Sequence, residues 1–177
     1  MTREPHIRLA RKEDVATILS FIKAGSVDQS PNTEIAATES RLLATLHFED
    51  EETVTPTTSP KFGWPLIIYS PENKPSGLAI YYHNYSTWAA APGICLEELY
   101  VVPEYRSHGY AKLLIETIAQ KAQDTGCIKL DWLCLRDNQR ALRFYEKVGA
   151  KTMENWVALK VDEQTMADLA RRTLTND

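Results

Sequence analysis

The sequence predicts an α/β (α+β) fold, a mixed sheet covered by helices. Short apolar runs at His6 to Leu9, Leu66 to Tyr69, Gly77 to Tyr85 and Ile94 to Val102 read as strands. From Tyr110 the apolar period changes to that of a helix. After residue 94 strand and helix patterns alternate twice, and such crossings lay helices over a sheet with some parallel pairing. The 177 residues fit one domain, 1–177, long enough to bury a core.

His6 to Leu9 is the first strand. Val15, Ile18, Leu19 and Ile22 then fall at i, i+3, i+4 and i+7, one face of a helix. Glu13 and Asp14 near its start and Lys23 near its end suit the helix dipole, and Gly25 just past it reads as its stop. Thr38 to His47 is a second helix, with Leu42, Leu43 and Leu46 as its apolar positions. Glu49 to Pro60, acidic and rich in Thr and Pro, reads as a mobile surface loop. Leu66 to Tyr69 and Gly77 to Tyr85 are strands joined by a hairpin at Pro71 to Pro75, and Ile94 to Val102 is another. Ala111, Leu114, Ile115, Ile118, Ala119 and Ala122 form one helical stripe closed by Gly126. Ile128 to Leu135 is a strand, Asn138 to Lys147 a short helix ended by Gly149, and Trp156 to Val161 a last strand. Asp162 caps a terminal helix that ends near Arg172.

Hydrophobic residues make up 44% and charged residues 25%, which excludes disorder, collagen and coiled coil as whole-chain readings. Lys+Arg number 20 and Asp+Glu 24. The net charge of -4 gives no general reason to hold nucleic acid or an anionic membrane, and it leaves room for a cationic ligand. Cys95, Cys127 and Cys134 are odd in number and lack CxxC spacing. They read as small core residues in a reducing cytosol, so neither a disulfide framework nor a metal site is expected. No apolar run follows Met1 to His6, so no secretory signal is expected, and no run approaches the roughly 20 residues that span a bilayer. The expectation is a cytoplasmic protein.

The stretch from Leu96 to Tyr145 carries the chemistry. Pro103 ends a strand, because it cannot donate to a ladder. Arg106-Ser107-His108-Gly109-Tyr110-Ala111 then leads into a helix N-terminus, whose free amides and dipole form a site for phosphate oxygens. Gly109 allows close backbone approach, and Arg106 adds charge. Alone, an Arg and a Gly before a helix make a turn more often than a site.

The R-x-x-G-x-A spacing directly after Val101-Val102-Pro103-Glu104-Tyr105 resembles the acyl-CoA pyrophosphate loop of the Gcn5-related N-acetyltransferase (GNAT) superfamily. Downstream, Asn138-Gln139-Arg140-Ala141-Leu142-Arg143-Phe144-Tyr145-Glu146-Lys147-Val148-Gly149-Ala150 resembles that family's N-x-x-A-x-x-F-Y-x-x-x-G-A helix. Ala79 to Trp88 and Leu96 to Val101 are most similar to the diamine (spermidine/spermine) branch and its thialysine-type relatives, with Glu98 where that branch usually has Asp. The resemblance runs from Ile7 to Leu169. It implies a mixed, mostly antiparallel central sheet flanked by helices, acetyl-CoA as cosubstrate, a homodimer, and acetyl transfer to a primary amine by direct attack on the thioester. The amine belongs to a diamine, a polyamine or a lysine-like amino acid.

That transfer needs a neutral amine, although alkylamines have a pKa of about 10.4. It needs a donor for the oxyanion and a proton or hydrogen bond for the departing thiolate. The resemblance implies Tyr145 as acid for the thiolate, and a core aromatic beside Phe144 is the alternative. Glu97 is the candidate proton acceptor, acting through water, with Glu98 as a second amine ligand. Adjacent strand residues point to opposite faces, so only one of them faces the cleft unless a bulge intervenes, and family members often carry one. The implied cofactor contacts are Leu99, Tyr100 and Val101 on the strand, Arg106, Ser107, His108, Gly109, Tyr110, Ala111 and Lys112 in the loop and first helical turn, and Asn138, Ala141 and Tyr145 on the later helix. Asn138 also suits simple N-capping. Asp131 and Glu154 are implied amine contacts, with solvated surface acids as the alternative. Asp28-Gln29 stands where the polyamine enzymes tend to carry an acidic and aromatic pair, a departure that leaves room for a shorter amine or a free amino acid such as lysine or thialysine. His83 and His108 receive no role. A protein lysine or N-terminal acetyltransferase, and a non-catalytic acyl-CoA-binding module, are the competing readings.

Overall fold

A computed structural model describes residues 4–29, 34–50 and 60–173. Most of the loop expected over Glu49 to Pro60 lies outside them. Backbone contacts group the chain into two units, Met1–Leu142 and Arg143–Asp177.

The first unit holds a five-stranded sheet in sequential order: β1 (His6–Leu9), β2 (Trp64–Tyr69), β3 (Pro75–Ser86), β4 (Ala91–Val101) and β5 (Leu130–Trp132). The first three neighbouring pairs are antiparallel and β4–β5 is parallel. The helix α3 (Tyr110–Asp124) makes the crossover that parallel pairing requires. Ile67, Tyr69, Leu78 and Ile80 line one sheet face and form a core with α1 (Val15–Gln29) and α2 (Glu39–Thr45) through Ile18, Leu42 and Leu46. Each such aliphatic side chain contributes roughly 1.5–3 kcal/mol by leaving water. Leu66, Ile68, Ala79 and Tyr81 alternate to the other side, and α3 packs on β2, β3 and β4 with Leu114, Ile115 and Ile118 buried.

Local signals explain most boundaries. The Thr38 hydroxyl accepts from the Arg41 amide at 3.2 Å and starts α2. α3 ends in a Schellman motif: Gly126 has φ +70, and Cys127 N–H reaches the Ala122 carbonyl at 2.8 Å. The expected helix stop at Gly25 is incorrect. α1 continues to Gln29, and Gly25 is buried within it against β4. Its missing side chain serves close packing there, not a turn.

The strand expected over Ile128 to Leu135 is only Leu130–Trp132. Its parallel ladder with β4 ends at Leu96↔Trp132, where β4 departs from regular geometry at Glu97. Leu133 beyond it is 82% exposed.

The second unit contains the end of α4 (Gln139–Lys147), which begins in the first unit, and all of α5 (Glu163–Thr173). Gly149, at φ +91, closes α4, with Ala150 N–H on the Tyr145 carbonyl at 3.0 Å. Asp162 caps α5 through the Thr165 amide at 2.8 Å, as expected. The last strand expected over Trp156 to Val161 is absent, and with it the second strand–helix–strand crossing. The alternating apolar pattern is there, but a strand exists only through its ladder, and all five strands come from the first unit. Trp156, Val157, Leu159 and Val161 are exposed.

β1 is locked to the start of α1 by a buried polar cluster. Arg8 donates to both Asp14 oxygens at 2.7 and 3.1 Å and lies over the Tyr69 ring, 4.8 Å from its centroid. Asp14 also accepts from the Arg11 amide at 2.7 Å and the Tyr69 hydroxyl at 3.1 Å. Burial alone raises the Asp14 carboxyl, but these donors, Arg8 foremost, hold it below its ordinary value. Its stabilising contribution is therefore complete above about pH 4 and disappears as pH falls through its folded value. Asp14→Asn is expected to lower unfolding free energy at pH 7 by about 2 kcal/mol. In urea unfolding the gap between variant and wild type should shrink at pH 3; a gap that stays constant would contradict the ion-pair account.

Candidate active site

The site is built on an irregularity in β4. Ile80 pairs with Glu98 and Tyr81 with Leu96, so Glu97 is the extra residue of a β-bulge. The bulge brings both carboxylates to the face covered by α1 and α2. Glu97 is exposed and lines a cavity of about 420 Å³, shared with Leu46, Phe62, Ile80 and Tyr82. Thr45, Gly63 and His83 complete its lining. Glu98 turns toward α1, where a side chain at position 25 would begin 3.1 Å from its Oε1. That oxygen is buried and has no hydrogen-bond partner. Burial first, then the neighbouring Glu97 charge, pushes the Glu98 carboxyl up to about 7, against the opposing Leu99 amide.

Next to this pair Tyr82 faces Cys95 across the β3–β4 ladder, and Cys95 faces Asp131 across β4–β5. Hydrogen bonding to Cys95 and burial push the Tyr82 hydroxyl up to about 12. Burial raises the Cys95 thiol as well, which makes it a poor nucleophile. Asp131, an expected amine contact, is engaged within the fold: Lys129 Nζ lies 2.7 Å away and Asn84 Nδ2 donates to it at 2.9 Å. The cation that compensates it is the protein's own. Glu154 is exposed in the second unit.

Past the bulge, Leu99, Tyr100 and Val101 pair with Ala79, Leu78 and Gly77 of β3. Their other edge lies beyond the end of the β5 ladder, so among the described residues no strand pairs with it. An exposed strand edge is a template for an extended ligand. The loop after β4 turns on two left-handed residues, Ser107 (φ 67) and Gly109 (φ 85). Nothing lies within 4 Å of where a Gly109 side chain would begin. Leu113 makes the first helical hydrogen bond of α3, to the Gly109 carbonyl at 3.0 Å, so the amides of Tyr110, Ala111 and Lys112 have no partner inside the helix. The backbone concavity and the bare glycine fit a phosphate group.

The side chains of that loop differ from expectation. Arg106 does not point its charge at the loop opening. It pairs with Asp28 of α1, its Nε donates to the Val101 carbonyl at 2.8 Å, and its guanidinium lies 5.7 Å from the Tyr100 ring centroid. His108 Nδ1 lies 2.8 Å from the Arg106 carbonyl, and Lys112 pairs with Glu116 one turn on. Asp28 ties the last turn of α1 to this loop. Asn138 caps α4, its Oδ1 accepting from the Ala141 amide at 3.1 Å. Tyr145 belongs to the second unit and has Phe144 beside it, ring centroids 5.4 Å apart.

Phe62, Gly63, Tyr82 and Gly25 were not among the expected site residues. Tyr82 was within reach of sequence reasoning, because it follows Ile80 by two on the same strand face. Phe62 precedes a strand with no periodicity of its own. Among the described residues no group of three or more His, Cys, Asp or Glu stands together to hold a metal, and no helix is long and apolar enough to cross a membrane.

Comparisons with known proteins agree with this architecture. Residues 31–150 match the model of the acetyltransferase (GNAT) family. The chain is 37% identical over 97 residues to thialysine N-epsilon-acetyltransferase of Bos taurus, covering 53% of this chain and 56% of that one. It is 30% identical over 81 residues to L-ornithine N5-acetyltransferase of Arabidopsis thaliana, covering 46% and 36%. The chain thus spans about half the length, or less, of these curated relatives. Among solved structures, an integron cassette protein from the mobile metagenome of V. cholerae has a TM-score of 0.72 at 20% identity, with 97% and 99% of the two chains covered. An aminoglycoside acetyltransferase from a soil metagenomic sample has a TM-score of 0.68 at 17% identity, covering 89% and 95%. The chain belongs to the acetyltransferase (GNAT) family.

Proposed function

We propose that the protein uses acetyl-CoA to acetylate the primary amine of a small molecule, a diamine, polyamine or lysine-like amino acid, with the whole chain as one catalytic domain. The bulge at Glu97 carries this reading, because it gives one face of β4 a pair of carboxylates in unlike surroundings. The cosubstrate would supply the acetyl thioester. The amides ahead of Leu113 and the bare Gly109 would hold its pyrophosphate, and the open edge of Leu99 to Val101 would pair its extended arm and point an N–H at the carbonyl oxygen. The similarity to a thialysine N-epsilon-acetyltransferase and an L-ornithine N5-acetyltransferase favours the amino-acid class. A spermidine/spermine N(1)-acetyltransferase-like protein of Homo sapiens is 27% identical over 93% of this chain but only 23% of its own length, and supports polyamines as the other class. A cytoplasmic homodimer is part of the proposal.

The residues divide the proton work. Glu97, exposed in the cavity, binds the alkylammonium and accepts its proton through water. Burial pushes the Glu98 carboxyl up to about 7, so it holds a proton more readily than an ordinary carboxylate. Cys95, with its raised thiol pKa, favours direct attack by the amine over an acetyl-cysteine relay. Tyr145 donates to the departing thiolate.

Thiol release from acetyl-CoA with a panel of diamines, polyamines and basic amino acids tests the reading; no turnover with any of them would leave a protein acetyltransferase or an acyl-CoA-binding module. Tyr145→Phe should lower kcat roughly 10²-fold with little change in acetyl-CoA binding. Glu97→Gln should raise the amine KM and be partly rescued at high pH, where more amine is neutral. Alkaline rescue of the tyrosine variant instead would reverse the two roles.

A second expectation concerns the loop. Acetyl-CoA should raise the melting temperature of the wild type by binding its native state. Gly109→Glu sets a carboxylate and an unfavourable φ against the phosphates, and should abolish that shift while the free variant remains folded. An undiminished shift in this variant would remove the loop from the cofactor site.

A further inference from the structure

We propose that Phe62 is a specificity-determining residue of the acceptor cavity. With Leu46 and Ile80 it forms an apolar wall for the hydrocarbon stem of a primary alkylamine whose nitrogen Glu97 holds. The inference deepens the acetyltransferase reading and rests on it for the identity of the acceptor.

The Phe62 ring is 62% exposed, yet its backbone is pinned. Its amide donates to the Thr45 carbonyl at 2.8 Å, and the His47 amide donates to the Gly63 carbonyl at 2.8 Å. Leu46 and Gly63 form a parallel bridge between these bonds. Gly63 allows the close fit: a side chain there would begin 3.0 Å from Leu46 Cδ2 and 3.3 Å from Ile80 Cγ2. An exposed aromatic ring on a fixed backbone has lost little freedom to bind and retains apolar area to bury.

The cavity's chemistry selects the occupant. Among the described residues that line it, Glu97 is the one carboxylate, while Leu46, Phe62 and Ile80 are apolar. An alkylammonium matches both features. Its charge meets Glu97, and each methylene laid on the wall raises affinity roughly fourfold. Recognition by stem length, not by a second charge, follows. A distal ammonium or amino-acid group would lie outside the wall, so diamines and lysine-like amino acids are accepted through the same stem.

Calorimetric titration of the free protein with ethylamine, butylamine and hexylamine tests this without turnover. Wild-type affinity should rise along the series. Phe62→Ala should reduce the hexylamine-to-ethylamine affinity ratio about tenfold, and Phe62→Leu should restore most of it. No length dependence in the wild type, or an unchanged ratio in Phe62→Ala, would overturn the proposal. Turnover of the same amines with acetyl-CoA is read separately. Length-dependent binding without turnover would contradict the acetyltransferase reading and leave the stem wall standing.

Discussion

One extra residue in β4 organises the site. A regular strand would send Glu97 and Glu98 to opposite faces of the sheet. The bulge at Glu97 puts both carboxylates on the α1 and α2 side, and it coincides with the end of the β5 ladder at Leu96. The same irregularity therefore opens the backbone edge of Leu99 to Val101 and sets two acids side by side. Burial first, and the neighbouring Glu97 carboxylate second, push the Glu98 carboxyl up to about 7.

The helix packed over this pair fixes the buried member. α1 comes close enough that Gly25 nearly touches Glu98 Oε1, which a larger residue would displace. The last turn of α1 is in turn tied to the loop after β4 through Asp28 and Arg106. The helix that shields one carboxylate is thus anchored to the loop proposed to hold phosphate. A charge that sequence reasoning assigns to the ligand is used to join the two halves of the site.

Regular elements with strong periodicity were legible in the sequence: the first strand, the stripe of α3 and the capped ends at Thr38, Gly126, Gly149 and Asp162. These signals are local, because a cap or a stripe depends on near neighbours. The errors arose where a distant partner decides the outcome. Gly25 looks like a stop until Glu98 is packed against it, and Trp156 to Val161 alternates like a strand but joins no ladder. In the candidate site, Glu97, Glu98 and the Gly109 loop were singled out from their motifs. The engagement of Asp131 by Asn84, and of Arg106 by Asp28, was not, since residues 47 and 78 positions apart carry no mutual signal. Phe62 was missed because its role depends on a bridge between the end of α2 and the residue before β2.

The raised proton affinity of the buried Glu98 carboxyl is the central claim, and NMR titration of its side-chain carboxyl carbon tests it most directly. The account predicts a Glu98 midpoint near 7 that falls in Glu97→Gln, where the neighbouring charge is gone. A Glu98 carboxyl that titrates in the ordinary range, about 4.3, and ignores the Glu97 substitution would contradict it.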